Sequence, residues 1–339
     1  ASEEVVIVRD ALRRPLHDLR ITVLDQCNFR CPYCMPEDEF HEDYEFLSRR
    51  QRLTYAEILK IAQVAAGLGV SKMRLTGGEP LLDKNLADLV AGLAAIPGVN
   101  DLALTTNGML LAPVAQKLAD AGLHRVTISL DTLDEEIFRH MSGGRGDLGR
   151  VLEGIEAAQQ AGLTPVKINV VVQRGINDHT VLDLLDHFRG TDHIVRLIEF
   201  MDVGNRNGWR LDQVVPSRHL LEQVQRHWPL RRIDQNYPGE VAHRAGDLDD
   251  EETRAVEQAE RDQRRVPRVL ADDHADATDR VGVDRADPLP AAHVPRLVED
   301  AVCGEVDLAV HVPDLALFDQ VARDILRVVG RFLDRADDD

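Results

Sequence analysis

The chain has 339 residues, of which 44% are hydrophobic, and a formal net charge of −19. At roughly 150 residues per domain the length suggests two units, although an α/β barrel can use about 250 residues in one. The acidic balance argues against a nucleic-acid binder, which needs a basic face, and no apolar run approaches the roughly 20 residues of a membrane span.

From Leu19 to Met201 short apolar runs alternate with helical stretches. LRITVLD (19–25) reads as a strand, and TYAEILKIAQVAAGLG (54–69) as a helix with Thr54 as its N-cap and Gly69 near its end. The next strand is KMRLTGGE, followed by the helix NLADLVAGLAAI, the strand DLALTTNG and the helix PVAQKLADAG. Then come the strand RVTISLD, the helix LGRVLEGIEAAQQAG, the strand VKINVVVQ, the helix HTVLDLLDHFRG and the strand VRLIEFM. The strands are apolar nearly throughout, as parallel strands covered on both faces should be. Six βα units close into a barrel or spread as an open doubly wound sheet. Polar residues recur just after the strand runs, at Cys27, Gly77 to Glu79, Thr105 to Asn107, Asp131 and Met201. In parallel α/β folds that C-terminal rim is where sites are built. The expected fold is therefore α/β, a partial (β/α)6 TIM-like barrel over 19–234 after an N-terminal arm, 1–18.

Residues 201–228 read as a polar loop and one more helix, and QNYPGEVAHR (235–244) as a turn leading into a strand. The texture then changes. Residues 245–339 carry 25 acidic residues against 12 arginines, a net of −13, which leaves −6 for residues 1–244. They contain no Lys, Trp or Tyr. Residues 251–270 fit a solvated helix, 314–334 have amphipathic spacing, and 271–295 read as unstructured. Region 235–339 is thus expected to be an atypical acidic appendage. The opening ASEEVVIVRD lacks the basic-then-apolar layout of a signal peptide. A cytoplasmic protein is expected.

Cys27, Cys31 and Cys34 have the spacing C-x3-C-x2-C directly after the first strand, and only Cys303 lies elsewhere. This is no disulfide framework. Three thiolates on one short loop can hold three corners of a cubic iron–sulfur cluster, whose usual ligation is four cysteines. One iron then stays open, as a catalytic zinc keeps a position for its substrate. The alternative is a Cys3His zinc site completed by His41 or His17.

CNFRCPYC (27–34) resembles the signature of the radical SAM superfamily, and TGGEP (76–80) resembles that family's SAM-binding motif. Gly77 and Gly78 would let backbone approach the methionine group closely. LRITVLDQCNFRCPYCMPE, MRLTGGEPLL, LTTNGMLL, VTISLDTLD, VKINVVV and IEFMDVGNRNGWR together resemble the GTP 3′,8-cyclases (MoaA) of molybdenum cofactor biosynthesis, over roughly residues 5–244. The resemblance implies a 4Fe-4S cluster on Cys27, Cys31 and Cys34, with S-adenosyl-L-methionine (SAM) touching Tyr33, Gly78, Ser129 and Met201. It places GTP against Arg20, Arg74, Thr105 and Lys167. It further implies a lyase that abstracts the ribose C3′ hydrogen of GTP and joins C3′ to C8, giving 3′,8-cyclo-7,8-dihydro-GTP. An electron donor, a downstream cyclic pyranopterin monophosphate synthase and a homodimer belong to the same expectation, with no nucleic-acid or membrane partner.

The residues agree with those roles in part on their own chemistry. Two arginine forks and a lysine suit a triphosphate, and a buried amine at Lys167 would be costly without a partner. Ser129 and Thr105 could instead bond to backbone, and Met201 could equally be core. The family also carries a second cluster on a C-terminal C-x2-C and a later cysteine, an arginine-rich stretch between them, and a Gly-Gly tail. After Arg244 this chain has only Cys303 and no Gly-Gly. The Asp/Arg/Ala/Val bias there is what a GC-rich gene yields when read out of frame, so 245–339 is expected to be a frameshifted or rearranged segment, with GTP turnover impaired. Two other readings stay open: a radical SAM enzyme with another substrate, and a cluster- or SAM-binding regulator.

Overall fold

A computed structural model describes residues 15–203, 207–233, 242–247, 268–272 and 305–308. Strands β1 (Asp18–Thr22), β2 (Lys72–Thr76), β3 (Asp101–Thr106), β4 (Arg125–Ser129), β5 (Lys167–Val172) and β6 (Ile194–Glu199) pair in chain order, all parallel. Parallel neighbours need crossovers, and helices provide them. These are α1 (Tyr55–Gly67), α2 (Leu86–Ala94), α3 (Ala115–Asp120), α4 (Glu135–Met141), α5 (Leu148–Gln160) and α6 (Val181–His187). A further helix, α7 (Ser217–Gln225), follows β6.

Thr54 caps α1 as expected. Its side chain accepts from the Glu57 amide at 3.3 Å, and the Glu57 carboxylate accepts from the Thr54 amide at 2.7 Å. This reciprocal box satisfies two orphan donors of the first turn. Helix α4 is an addition to the expected list. Seven residues are too few to show an amphipathic period. Its signals are local: Asp134 caps the Ile137 amide, acids fill its first turn, and Arg139 and His140 close its last.

The strands are not apolar on both faces. Leu19, Ile21, Met73, Leu75, Leu102, Leu104, Val126, Ile128, Ile168, Val170, Val195 and Leu197 are buried in one core with helix residues such as Ile58, Leu89, Leu93 and Ile155. The alternate positions Arg20, Arg74, Thr105, Arg125, Ser129, Lys167, Asn169 and Arg196 are half-buried on the other face. Parallel pairing in register keeps each set together, because successive side chains point to opposite faces.

The six units form the middle of a ten-stranded sheet with the order β10-β1-β2-β3-β4-β5-β6-β9-β8-β7. Here β7 is Leu230–Ile233, β8 Ala242–Asp247, β9 Arg268–Asp272 and β10 Glu305–Leu308. Strand β10 runs parallel to β1, β9 parallel to β6, and β8 and β7 complete an antiparallel edge. The strand expected within 235–244 begins at Ala242. The helix expected over 251–270 and the unstructured stretch expected from 271 meet instead at β9. An open strand edge at β6 offers backbone partners that a solvated helix cannot use. The rest of those stretches, the amphipathic segment 314–334, Cys303 and residues 1–14 of the arm lie outside the described residues. No helix among the described residues is long and apolar enough to cross a membrane.

Candidate functional site

Beyond Thr22 the chain leaves β1 and runs along the top of β2. Val23 donates its amide to Thr76 O at 2.9 Å, Gly78 to Leu24 O at 2.7 Å, and Glu79 to Gln26 O at 2.8 Å. This approach explains both glycines. A Cβ on Gly78 would lie 2.2 Å from Gln26 O, and one on Gly77 2.6 Å from Leu24 O. The close approach expected of a ligand is already made by the segment that leads into the cysteines.

Glu79 is 1% exposed and fully engaged. One carboxylate oxygen accepts from Thr106 Oγ1 at 2.7 Å and Leu81 N at 3.0 Å, and the other from Asn107 N at 2.7 Å. It ties the top of β2 to the top of β3. The Asn107 amide in turn donates to Asn28 Oδ1 at 2.7 Å and reaches Cys27 Sγ at 3.9 Å. Cys27 Sγ also accepts from Phe29 N at 3.4 Å.

Cys31 and Cys34 lie on one turn, where Cys34 N and Met35 N both donate to Cys31 O, and Cys27 lies just before it, near enough for the three thiols to act on one another's charge. Burial pushes the Cys27 thiol up to about 11, helped by the Glu79 charge, while Phe29 N and Arg30 pull it back. Burial raises Cys31 and Cys34 as well, with Asp131 adding to both. Such thiols stay protonated until a metal takes them.

Tyr33 is half-buried, and its hydroxyl donates to Asp131 Oδ2 at 2.8 Å. The other Asp131 oxygen accepts from Val171 N at 2.8 Å, so β4, β5 and the cysteine turn meet at one carboxylate. Burial raises Asp131 to about 6 against the pull of those two bonds. Asn207 Nδ2 donates to both Tyr33 O at 3.0 Å and Met201 O at 2.9 Å. Ser129 ends β4 on the half-buried face, paired with Asn169.

Below this rim the half-buried face is cationic. Arg20 and Arg74 stand side by side in register on β1 and β2, Ala103 separates Arg74 from Arg125, and Thr105, Thr127 and Lys167 share a level. Arg196 pairs with Asn169, whose buried Oδ1 has no hydrogen-bond partner among the described residues. Burial, then the charges of Arg125, Arg196, Lys72 and Arg74, push the Lys167 ammonium down to about 7. Lys72 and Arg125 have acids of their own: Lys72 Nζ meets Asp18 at 2.8 Å, and Arg125 forks onto Asp101 at 2.6 and 2.8 Å. Arg20, Arg74, Lys167 and Arg196 add further cationic donors to the same face, the chemistry a polyanion would meet.

The GTP 3′,8-cyclase of Xanthomonas axonopodis pv. citri is 54% identical to this chain over 237 residues, which make up 70% of this chain and 71% of that protein. The chain belongs to the GTP 3′,8-cyclase family. That of Staphylococcus haemolyticus is 46% identical over 238 residues, 70% of each chain. Residues 21–188 match the radical SAM superfamily. Among solved structures, methylornithine synthase shares the fold with a TM-score of 0.50, at 18% identity over 62% of each chain.

Radical SAM proteins of this family use a 4Fe-4S cluster and SAM, and the donor set here fits the cluster. Three thiols sit on one short loop, and N–H groups approach the Cys27 sulfur, as suits a cluster sulfur. Among the described residues, no three His, Cys, Asp or Glu side chains converge on one point as a single ion would need. A cubane takes one thiolate per iron instead. His17, one alternative zinc ligand, lies at the far end of β1 with Nδ1 on Asp18.

Glu79, Asn107 and Asp131 lie on the rim where their places after strands put them, although the sequence does not reveal their partners; it does not single out Asn207 on the rim or Lys72, Arg125 and Arg196 on the cationic face. One of these cations had a signal. It is clear for Arg196, which Val195 and Leu197 bracket as Met73 and Leu75 bracket Arg74; Lys72 and Arg125 open their strands after Ser71 and His124 and lack it. Asn207 had none, because it acts through Tyr33 O, a partner distant in sequence.

Proposed function

We propose that this chain is a radical SAM lyase acting on GTP to give 3′,8-cyclo-7,8-dihydro-GTP. The observation that carries the substrate is the cationic wall of Arg20, Arg74 and Lys167 directly beneath the cysteine rim, with Lys72, Arg125 and Arg196 beside it. The two arginines present forked donors to phosphate oxygens. Lys167 gains most from an anion, because a bound triphosphate holds its proton in place. Thr105 offers a hydroxyl at the same level of the sheet as Lys167.

Cys27, Cys31 and Cys34 would hold the cluster, which with SAM at its open iron supplies the 5′-deoxyadenosyl radical for hydrogen abstraction. Tyr33, Gly78, Ser129 and Met201 would line the SAM side of the rim. Asp131 and Asn207 keep Tyr33 and Met201 in register with the cysteine turn. Reduction calls for an external electron donor, and a downstream synthase would take the product on to cyclic pyranopterin monophosphate. A thiolate-held cluster suits a reducing compartment such as the cytoplasm.

Cys303 alone cannot hold the second cluster of the family. We therefore assign this chain one cluster, with GTP held less firmly than in its relatives and a cost in positioning. Anaerobic reconstitution of the full chain, followed by SAM and reductant with and without GTP, tests the assignment. The expected result is about four irons per chain, formation of 5′-deoxyadenosine, and cyclised nucleotide in lower yield than deoxyadenosine. A chain that loads iron yet leaves SAM intact overturns the reading.

A further inference from the structure

Arg30 lies between the first two cysteines and is only 6% exposed. Its Nε donates to Phe40 O at 2.8 Å, and one terminal nitrogen donates to Cys27 O at 2.9 Å and Phe29 O at 2.8 Å. The guanidinium stands 5.4 Å over the Phe46 ring, and the Arg30 amide is fixed to Ser142 O at 3.1 Å. Every one of these partners is neutral. Among the described residues no carboxylate forms an ion pair with it.

A buried charge without a counter-ion is costly, and arginine cannot shed its proton to escape the cost. The other charges acting on the thiols are anionic: Glu79 on Cys27, and Asp131 on Cys31 and Cys34. With the guanidinium bonded to Cys27 O, the negative charge that arises closest to it on loading is that of the sulfurs once they ligate iron.

We infer that Arg30 is a positioning residue whose fixed charge is balanced by the thiolate-held cluster, and that it raises the cluster's reduction potential. The inference rests on the proposed cluster. A cation held beside the sulfurs stabilises the state carrying one more electron, so it shifts the one-electron equilibrium toward reduction. The same guanidinium staples the loop by binding carbonyls at residues 27, 29 and 40. Staple and charge are separable. Glutamine keeps donors without charge, and lysine keeps charge without the fork.

The test is a redox titration of the anaerobically reconstituted full chain, read by visible absorption and by electron paramagnetic resonance of the reduced cluster. Arg30→Gln should retain about four irons and lose at least tenfold in the reduction equilibrium, a drop of about 59 mV for one electron. Arg30→Lys should stay within about threefold of wild type, roughly 28 mV. An Arg30→Gln chain with full iron and an unchanged potential overturns the inference, as does an Arg30→Lys chain that drops as far as Arg30→Gln. Should Arg30→Gln fail to load while Arg30→Lys loads fully, charge is needed for assembly and the inference stands. Should both fail to load with wild-type far-UV circular dichroism, shape decides and the inference falls. A wild-type chain without a cubane is a separate failure, that of the cluster reading itself.

Discussion

The rim and the inner wall of this barrel are built by the same strands and have opposite electrostatics. At the rim, burial and two carboxylates, Glu79 and Asp131, push thiols up. On the wall a few residues down, burial and four cations push a lysine down. Each region holds groups in the neutral or strained form that its ligand would relieve: iron for the thiols, a polyanion for the lysine. The lesson is that one fold can prepare two unlike sites a short distance apart by giving each the wrong charge for an empty state. Their supports differ too. The rim is stitched by backbone and by buried side chains that touch no ligand in this reading, whereas the wall is set by strand register, with Lys72 and Arg125 further held by Asp18 and Asp101.

The separation breaks first at the ligands. Cys27→Ala should lower 5′-deoxyadenosine formation roughly a thousandfold, since the cofactor carries the hard chemistry, while GTP affinity in equilibrium dialysis changes less than about threefold. Loss of both together would show that rim and wall are one site.

Gly78→Ala tests how the rim is supported. With Gln26 O 2.2 Å from the new methyl carbon, backbone must shift, at about 3 kcal/mol. Thermal unfolding should then move down by roughly 4 °C. An unshifted melting curve would mean that the β1 exit is looser than its hydrogen bonds suggest.

The wall is sharpened by Lys167→Met, expected to weaken GTP binding about 10- to 100-fold, as for a lost hydrogen bond to a charged group, with cluster content unchanged. Wild-type binding should also carry a pH signature. In the empty chain Lys167 is charged below about 7 and neutral above it. A bound triphosphate raises that value, so binding takes up a proton above pH 7 and affinity falls by up to about tenfold per unit as pH rises. Calorimetry in buffers of different ionisation enthalpy reads the proton directly, and Lys167→Met should abolish the uptake.

The smallest effect is expected of the isosteric change at Asp131. Asp131→Asn keeps an acceptor for Val171 N and a partner for the Tyr33 hydroxyl, and it removes a carboxylate whose value is raised to about 6 by burial. Its unfolding free energy at pH 7 should change by less than about 1 kcal/mol. Asp131→Leu leaves both donors unsatisfied and should cost about 2–4 kcal/mol. Equal losses from the two substitutions would show that the charge, rather than hydrogen bonding, joins the turn to β4 and β5.

The sequence by itself determined the local and periodic features. Six strand-helix units, the Thr54 cap, the three-cysteine loop after the first strand, and Arg20, Arg74 and Lys167 within strands were all legible, because each rests on spacing along the chain. Tertiary structure decided what depends on convergence. Lys72, Arg125 and Arg196 join the wall only through register between strands that are far apart in sequence. Glu79 turns out to serve Thr106 and Asn107, and Gly78 to admit Gln26. Arg30 looks like any polar loop residue until its three carbonyl partners and its burial are seen. A hydrogen bond or a charge pair across tens of residues leaves no period in the sequence, so only the folded chain reveals which groups meet.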